Sequence, residues 1–154
     1  MIGYYGIGIY NNKYKENIGT LWRSAYSFNA NFIFTICKRY KYQSSDVNKT
    51  WKNIPLYHYI DFDIFYENMP KDCILLGIEL TDMAININEF NHPKRAIYLL
   101  GSEDGGLPNR IVNRCHSVIV LPGKYCLNVS IAGSIVMFDR LVKSNNALPA
   151  KQRR

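Results

Sequence analysis

Residues 96–108 read AIYLLGSEDGGLP, an unbroken apolar run that ends in a glycine-rich and acidic turn. An apolar run without alternation is typical of a strand buried on both faces, as in a parallel sheet. The glycines resemble a phosphate-binding loop, but no Lys-Ser/Thr pair follows them, and Glu103 and Asp104 stand among them. Because two carboxylates repel a phosphate, the turn is predicted to close its backbone around a neutral or cationic ligand.

Strands of this kind alternate with helices along the whole chain. Ile18, Leu21, Trp22 and Ala25 share one stripe of a helix, with Asn17 as its predicted N-cap. The alternation predicts an α/β fold, a mostly parallel sheet flanked by helices on both faces. We predict strands at residues 3–10, 31–37, 54–59, 73–79, 96–100 and 117–121, and helices at 17–28, 61–68, 108–115 and 128–143.

Ligands of such sheets bind beyond the carboxyl ends of the strands. Gly77, Gly101 and the Leu121-Pro122-Gly123 turn all fall at predicted strand ends. Three loops are therefore expected to converge on one site. The glycines of GYYGIGIY at 3–10 do not have GxGxxG spacing and lie within a strand, which argues against a dinucleotide fingerprint.

Charge is spread unevenly over the 154 residues, whose net charge is +7. Residues 1–55 hold eight Lys and Arg against two Asp and Glu, residues 56–110 four against nine, and residues 111–154 seven against one. Two basic ends around an acidic middle predict a surface for a polyanion such as nucleic acid, with an ordinary basic surface as the alternative. The basic and aromatic stretch 38–52 is predicted to be an exposed loop that binds RNA or, alternatively, a solvated connection.

Several function classes lack their sequence signals. No 18-residue uncharged apolar run and no secretory signal is found, so neither a membrane span nor export is expected. The four cysteines have no CxxC spacing and the three histidines no HxxxH spacing. We therefore expect a cytoplasmic protein with reduced thiols and no metal site.

Two polar residues, Arg23 and Asn128, lie on predicted helices near the predicted site. Gly19 lies one turn before Arg23, and an interior helical glycine costs about 1 kcal/mol relative to alanine. That cost suggests close packing or binding beside Arg23, whose guanidinium suits a phosphodiester; a solvated surface arginine is the alternative. Asn128 and Ser130 open an otherwise apolar helix, where Asn128 is either a site residue or simply an N-cap.

Three motifs in order resemble the SpoU branch of the SPOUT superfamily, the TrmH-like RNA ribose methyltransferases. The first pairs Asn17-Ile18-Gly19 with Arg23-Ser24-Ala25, and the second is LLGSEDGGL at 99–107. The third joins Leu121-Pro122 to CLNVSIA at 126–132. The likeness extends over residues 3–143.

The resemblance implies a SPOUT-type methyltransferase domain over residues 1–146 with a C-terminal trefoil knot, followed by a basic, flexible tail at 147–154. It implies S-adenosylmethionine as the cofactor, held mainly by backbone groups. The cofactor-binding residues carried over by the resemblance are Leu76, Gly77, Gly101, Leu121, Cys126 and Leu127.

The resemblance also implies a homodimer with RNA at the subunit interface, where Arg23 faces the partner's methyl donor. Methyl transfer would go to a ribose 2′-hydroxyl, with tRNA as the expected substrate; rRNA, or a non-catalytic RNA-binding role, is the alternative. A base-nitrogen methyltransferase of the same fold is a further alternative. The residues implied to be catalytic are Arg23, Asn128, Glu103 and Asn17, and those expected to bind RNA are Arg23, Lys38, Arg39 and Lys41.

Two positions depart from the family pattern. Cys126 stands where the family usually has Ser, which replaces a hydroxyl hydrogen bond by a weaker thiol contact. Asn29 stands where the family usually has Gly, at a turn where Asn tolerates a left-handed backbone. The first departure weighs against catalysis, and the second is neutral.

Overall fold

The computed structural model describes residues 3–40 and 53–144, which form a seven-stranded sheet between two layers of helices. The strand order is β3-β2-β1-β6-β4-β7-β5, and every neighbouring pair is parallel. This architecture confirms the predicted fold class. In chain order the elements are β1 (Tyr4–Tyr10), α1 (Lys15–Ser27), β2 (Phe32–Ile36), β3 (Leu56–Tyr59), α2 (Phe62–Asn68), β4 (Ile74–Ile78), β5 (Ile85–Asn86), a 3-10 turn (Ile87–Glu89), β6 (Arg95–Leu100), α3 (Asn109–Val112), β7 (Ser117–Val120) and α4 (Val129–Lys143).

Two apolar cores lie on opposite faces of the sheet because successive side chains of a strand point to opposite sides. Ile7 and Ile9 of β1 are fully buried in the core that α1 and α4 cover. On the other face, Phe34 of β2 stacks on Phe65 of α2, with ring centroids 4.7 Å apart. Both faces of the sheet are therefore covered, which explains why its strands have unbroken apolar sequences.

The glycines of β1 make room for aromatic rings of the neighbouring strand. A Cβ on Gly6 would overlap the Phe32 ring, and a Cβ on Gly8 would overlap Phe34. These glycines serve packing between β1 and β2, in keeping with the argument against a dinucleotide fingerprint.

Most predicted boundaries lie close to the observed ones, but the predicted cap of α1 is wrong. The helix begins at Lys15 with Tyr14 as its N-cap, and Asn17 lies buried within it. The turn after α1 agrees with the sequence, since Asn29 has a φ of 62°. Strand β5 and the 3-10 turn were not expected, and α3 is shorter than predicted. None of the helices in the described ranges is long and apolar enough to cross a membrane.

The C-terminal half of α4 is anchored to the start of β6 by Arg140. This side chain is only 7% exposed, and its Nη1 donates to the Pro93 carbonyl at 2.6 Å and to the Tyr98 hydroxyl at 3.1 Å. Its Nη2 donates to the Lys94 carbonyl at 2.8 Å, and the guanidinium lies over the Tyr5 ring. These bonds fix the helix whose other end carries Asn128.

His92 adds a second tie between α4 and the same segment. Its Nδ1 lies 2.6 Å from the Tyr98 hydroxyl, and its Nε2 lies 2.8 Å from Asp139 of α4. Because the hydroxyl already accepts from Arg140, its proton points to Nδ1, and Nε2–H donates to Asp139. Burial lowers the pKa of His92 despite the Asp139 carboxylate, so the neutral ring is favoured.

Candidate active site

Three segments that are far apart in the chain meet through one series of side-chain hydrogen bonds. The Asn17 amide Nδ2 donates to Glu103 Oε1 at 2.6 Å, and Asn128 Nδ2 donates to Asn17 Oδ1 at 3.0 Å. Asn17 is 7% exposed, and a buried amide is costly unless it is hydrogen-bonded. The structure thus brings together three of the four residues expected to be catalytic.

Asn128 is both the N-cap of α4 and a member of this network. Its Oδ1 accepts from the Ser130 N–H at 2.9 Å, from the Ile131 N–H at 3.3 Å and from the Ser130 hydroxyl at 2.6 Å. The N-cap interpretation is thus confirmed, and the capping residue also bonds to Asn17. Capping fixes the amide so that its Nδ2 points at Asn17.

Donors surround the Glu103 carboxylate. Its Oε2 accepts from the Lys13 N–H at 2.7 Å, and its Oε1 accepts from the Tyr14 N–H at 3.3 Å as well as from Asn17. Partial burial acts to raise the pKa of Glu103, but these hydrogen bonds together outweigh it and hold the pKa below its usual value. Glu103 is therefore ionised at neutral pH and ties the start of α1 to the glycine turn.

A Glu103→Gln substitution is expected to lower the free energy of unfolding at pH 7 by about 1–3 kcal/mol. The neutral amide accepts weaker hydrogen bonds and turns an NH₂ group toward N–H donors. Because the folded-state pKa of Glu103 is depressed, its contribution is complete above the unfolded value of about 4.3 and is lost as pH falls through the folded pKa. Urea unfolding at neutral and acidic pH measures both effects.

The adjacent Asp104 offers a matched control for this experiment. Its ion pair with Lys13 is solvent-exposed on both sides, and such pairs contribute little to stability. Asp104→Asn is therefore expected to leave the urea midpoint nearly unchanged. Equal losses of unfolding free energy in the two variants would show that the hydrogen bonds of Glu103 contribute no more to stability than an exposed ion pair does.

The turn after β6 is closed by its own backbone. Ser102 and Gly106 form an antiparallel bridge, with N–H···O distances of 3.0 and 3.3 Å. Gly106 has a φ of +63°, and a Cβ on Gly101 would overlap the Gly106 backbone. The close approach and left-handed backbone expected of these glycines are confirmed. Glu79 at the end of β4 also holds the turn, accepting from the Leu107 N–H at 2.7 Å.

A cavity of about 340 Å³ lies at the carboxyl ends of β4 and β7, a size suited to a small ligand. Its lining comes from the ends of these strands, the loop at 121–127 and Ala132 of α4. The charged groups of the described lining are Glu79 and Lys124, and the remaining walls are mainly apolar. Leu127, in the lining, directly precedes Asn128, so the cavity adjoins the network.

The residues expected to bind the cofactor divide into two groups. Leu121, Cys126 and Leu127 line the cavity. Leu76 and Gly77 lie within β4, and the lining on that side begins only with Ile78 and the two residues after it. Gly101 is buried at the end of β6 and is outside the lining.

The cavity lining also includes Ile78, Glu79 and Leu80, which the sequence did not single out. The apolar run of β4 continues to Ile78 before the first charged residue, which was the available signal.

Arg23 lies exposed on α1, six positions after Asn17. Within the described residues its guanidinium has no hydrogen-bonding or ionic partner, in contrast to the fully engaged Glu103. Among residues 3–40 and 53–144, a Cβ on Gly19 would have one neighbour outside its own helix, the Tyr40 hydroxyl at 3.9 Å, so these residues leave space on that side of α1. The fourth residue expected to be catalytic is thus free to meet a ligand.

The start of the predicted RNA-binding loop reaches this region. Tyr40 packs edge-on against Trp22 of α1, with ring centroids 6.1 Å apart, and Lys38 and Arg39 are exposed just before it. Lys41 and the rest of the loop lie outside the described residues, as does the basic tail. All four cysteines are free. Residues 3–40 and 53–144 contain no group of His, Cys, Asp or Glu that could hold a metal ion.

Fold and site together define a parallel α/β domain whose polar network and apolar cavity share one edge of the sheet, the usual ligand-binding edge of this class. Residues 6–138 match the SpoU rRNA Methylase family. The chain belongs to this family. The resemblance seen in the three motifs is thereby confirmed at the level of the family.

Solved structures agree with this assignment at the level of the fold. An AdoMet-bound rRNA methyltransferase from Sinorhizobium meliloti has a TM-score of 0.83 at 17% identity, covering 96% of this chain and 59% of its own. A second structure, reported for the 2-OH methylation of C/U34 on tRNA, has a TM-score of 0.82 at 18% identity. The alignment covers 94% of this chain and 98% of the chain in that structure.

The A. aeolicus TrmH/SpoU tRNA modifying enzyme has a TM-score of 0.78 at 18% identity, covering 90% of this chain and 74% of its own. The chain thus spans well under two thirds of the Sinorhizobium structure and nearly all of the tRNA-related one. No curated protein sequence matches it significantly.

Proposed function

We propose that this chain transfers the methyl group of S-adenosylmethionine to a ribose 2′-hydroxyl of RNA, with tRNA as the substrate. The observation that carries the proposal is the Asn17–Glu103–Asn128 network beside an apolar cavity, with a free Arg23 on the helix that bears Asn17. The similar structure of which 98% is covered was reported for 2-OH methylation of tRNA, and this supports tRNA over rRNA as the substrate.

The cavity fits the cofactor by its chemistry. Leu121, Leu127 and Ile78 offer apolar walls to an adenine ring, and backbone groups of the loop at 121–127 can meet its polar edge. The acidic turn lies close by, and its carboxylates favour a cationic sulfonium over a phosphate. When bound, S-adenosylmethionine supplies the methyl group; the protein must bring the ribose hydroxyl into line with it.

Positioning is the main task of the protein side chains, because an aligned pair of reactants avoids most of the entropic barrier. Glu103 cannot readily take a proton, since three N–H groups already bind its carboxylate and its pKa is lowered. A guanidinium also keeps its proton at neutral pH. Arg23 therefore binds the phosphate of the target nucleotide and stabilises the hydroxyl oxygen while its proton passes to solvent water. Lys38 and Arg39 extend this cationic surface toward more of the RNA.

A homodimer is the proposed assembly, and α4 supports it. Ile131, Ile135, Phe138 and Val142 are 51%, 39%, 54% and 55% exposed and share one stripe of the helix. Such an apolar stripe is typical of a helix–helix interface. In the dimer, Arg23 of one subunit would face the cofactor of the other.

Phe138→Asp is expected to weaken the dimer by about 30-fold or more, as loss of an aromatic residue from the centre of an interface does. Sedimentation velocity over a range of protein concentrations measures the change. Ile64→Asp on α2 is the control, because Ile64 is 42% exposed on the opposite face of the sheet. A monomeric wild type, or equal behaviour of both variants, would exclude this interface.

Two measurements test the proposed activity itself. Isothermal titration should detect binding of S-adenosylmethionine, and mapping of 2′-O-methyl groups in RNA from cells with and without the protein should identify the nucleotide. Absence of binding at high micromolar cofactor would remove the enzyme proposal. Binding of RNA without methyl transfer would instead favour a non-catalytic RNA-binding role. We place this activity in the cytoplasm, where both substrates occur.

A further inference from the structure

The loop between β7 and α4 presents an aromatic ring to solvent at the rim of the cavity. Residues 122–127 are all exposed, and Tyr125 is 82% exposed although it lines the cavity. Within the described part of the chain its ring makes no ring contact and its hydroxyl no hydrogen bond. Lys124 beside it is the cation of the cavity lining. A flat ring and a cation therefore stand together, free for a ligand.

The position of this ring relative to the site is restrained at both ends of the loop. Val120 is paired in the sheet, and Asn128 is bonded to Asn17 on the other side. Three residues of chain span at most about 11 Å, so the Cα atom of Tyr125 lies within that distance of the Cα atom of Asn128. A nucleotide whose ribose meets the Asn17–Glu103–Asn128 network can therefore have its base beside Tyr125.

The ring is not needed to complete the cofactor cavity. Ile78, Leu121 and Leu127 already supply apolar walls, whereas the Tyr125 ring faces solvent. Aromatic rings at the surface of RNA-binding proteins stack on bases regardless of sequence, and lysines beside them meet phosphates.

We propose, building on the proposed function, that Tyr125 stacks on the base of the target nucleotide while Lys124 contacts its phosphate. Stacking needs a free base face, which a base inside a duplex does not offer. The substrate class is therefore an RNA whose target nucleotide is unpaired.

Tyr125→Ala should weaken RNA binding about 5- to 150-fold, the range for loss of one base–aromatic stack. The probe is a fluorescein-labelled single-stranded RNA of random sequence, followed by anisotropy, with the corresponding duplex as a second probe. Tyr125→Phe should restore most of the affinity because it keeps the ring. Affinity for S-adenosylmethionine, by titration calorimetry, should fall much less than single-strand affinity, because the cofactor is assigned to the backbone of this loop and not to the Tyr125 ring. Duplex binding should be unchanged in both variants.

Tyr57→Ala on the edge strand β3 is the matched control, since Tyr57 is 49% exposed and packs on Phe32 away from the cavity. Parallel losses of RNA and cofactor affinity in Tyr125→Ala would show that the ring covers the cofactor and would overturn the proposal. Unchanged single-strand binding, or equal loss for the duplex, would overturn it as well. A wild type that binds no S-adenosylmethionine would instead refute the proposed function, so the two failures are distinguishable.

Discussion

An Arg23→Ala variant is expected to methylate RNA about 10²- to 10³-fold more slowly than the wild type while binding S-adenosylmethionine equally well. Arg23 is exposed and unbonded within the described residues, so its removal leaves no buried group unpaired and should not unfold the protein. The loss should therefore appear in the transfer step and in RNA affinity. Single-turnover transfer of a radiolabelled methyl group measures the transfer step, and anisotropy of a fluorescein-labelled RNA measures RNA affinity. Calorimetry with the cofactor alone checks that cofactor affinity is unchanged.

Two further variants make the experiment specific to the guanidinium. Arg23→Lys keeps the charge but not the planar fork, so it should recover only part of the rate if bidentate phosphate binding matters. Arg110→Ala removes an exposed arginine from α3, on the opposite face of the sheet, and should have the wild-type rate. Wild-type transfer by Arg23→Ala would remove the role assigned to this residue.

The sheet could be predicted from the sequence because both its faces are covered. Full burial produces unbroken apolar runs, as at 96–100, and these runs located most of the strands. Strand β5 was not predicted because Ile85–Asn86 is only two residues long. It joins the sheet by backbone pairing with β7, and two residues are too few to show an apolar pattern in the sequence. The trefoil knot stays a prediction of the family resemblance, since no periodicity reports how a chain is threaded.

The site was predicted less completely, and Asn17 shows why. An asparagine just before an apolar stripe is typical of an N-cap, yet α1 begins earlier and buries Asn17 against the glycine turn. Its partners, Glu103 and Asn128, lie 86 and 111 positions away along the chain. Local pattern could name these residues as candidates, but only the tertiary fold shows that they bond to one another.

The contacts from β4 illustrate a different limit. Motif comparison pointed to Leu76 and Gly77, whereas the cavity lining starts at Ile78. A local motif does not show how far a strand runs before it reaches a cavity, so the lining on this side could be read only from the structure. Exposed residues such as Tyr125 are not part of any apolar periodicity, so their place at the cavity could be found only from the structure.

Gly101→Val is expected to weaken S-adenosylmethionine binding by about 5- to 150-fold, the equivalent of about 1–3 kcal/mol of packing strain. A Cβ at this position would overlap backbone atoms of Gly106 and Leu107, and backbone cannot turn aside as a flexible side chain can. The Ser102–Gly106 bridge must open in response. Glu103 then leaves its donors on the start of α1, and Glu79 of the cavity lining loses its hydrogen bond from the Leu107 N–H.

Gly105→Ala supplies the control for this prediction within the same turn. A Cβ on Gly105 would meet only the Ser102 hydroxyl, at an ordinary contact distance of 3.5 Å, so near-normal cofactor binding is expected. Far-ultraviolet circular dichroism and thermal unfolding of both variants separate a local opening of the turn from global unfolding. If folded Gly101→Val bound the cofactor as tightly as Gly105→Ala does, the turn would not shape the cofactor site. The acidic glycine turn would then serve only to hold α1, because the bonds from Lys13, Tyr14 and Asn17 to Glu103 would be its remaining role.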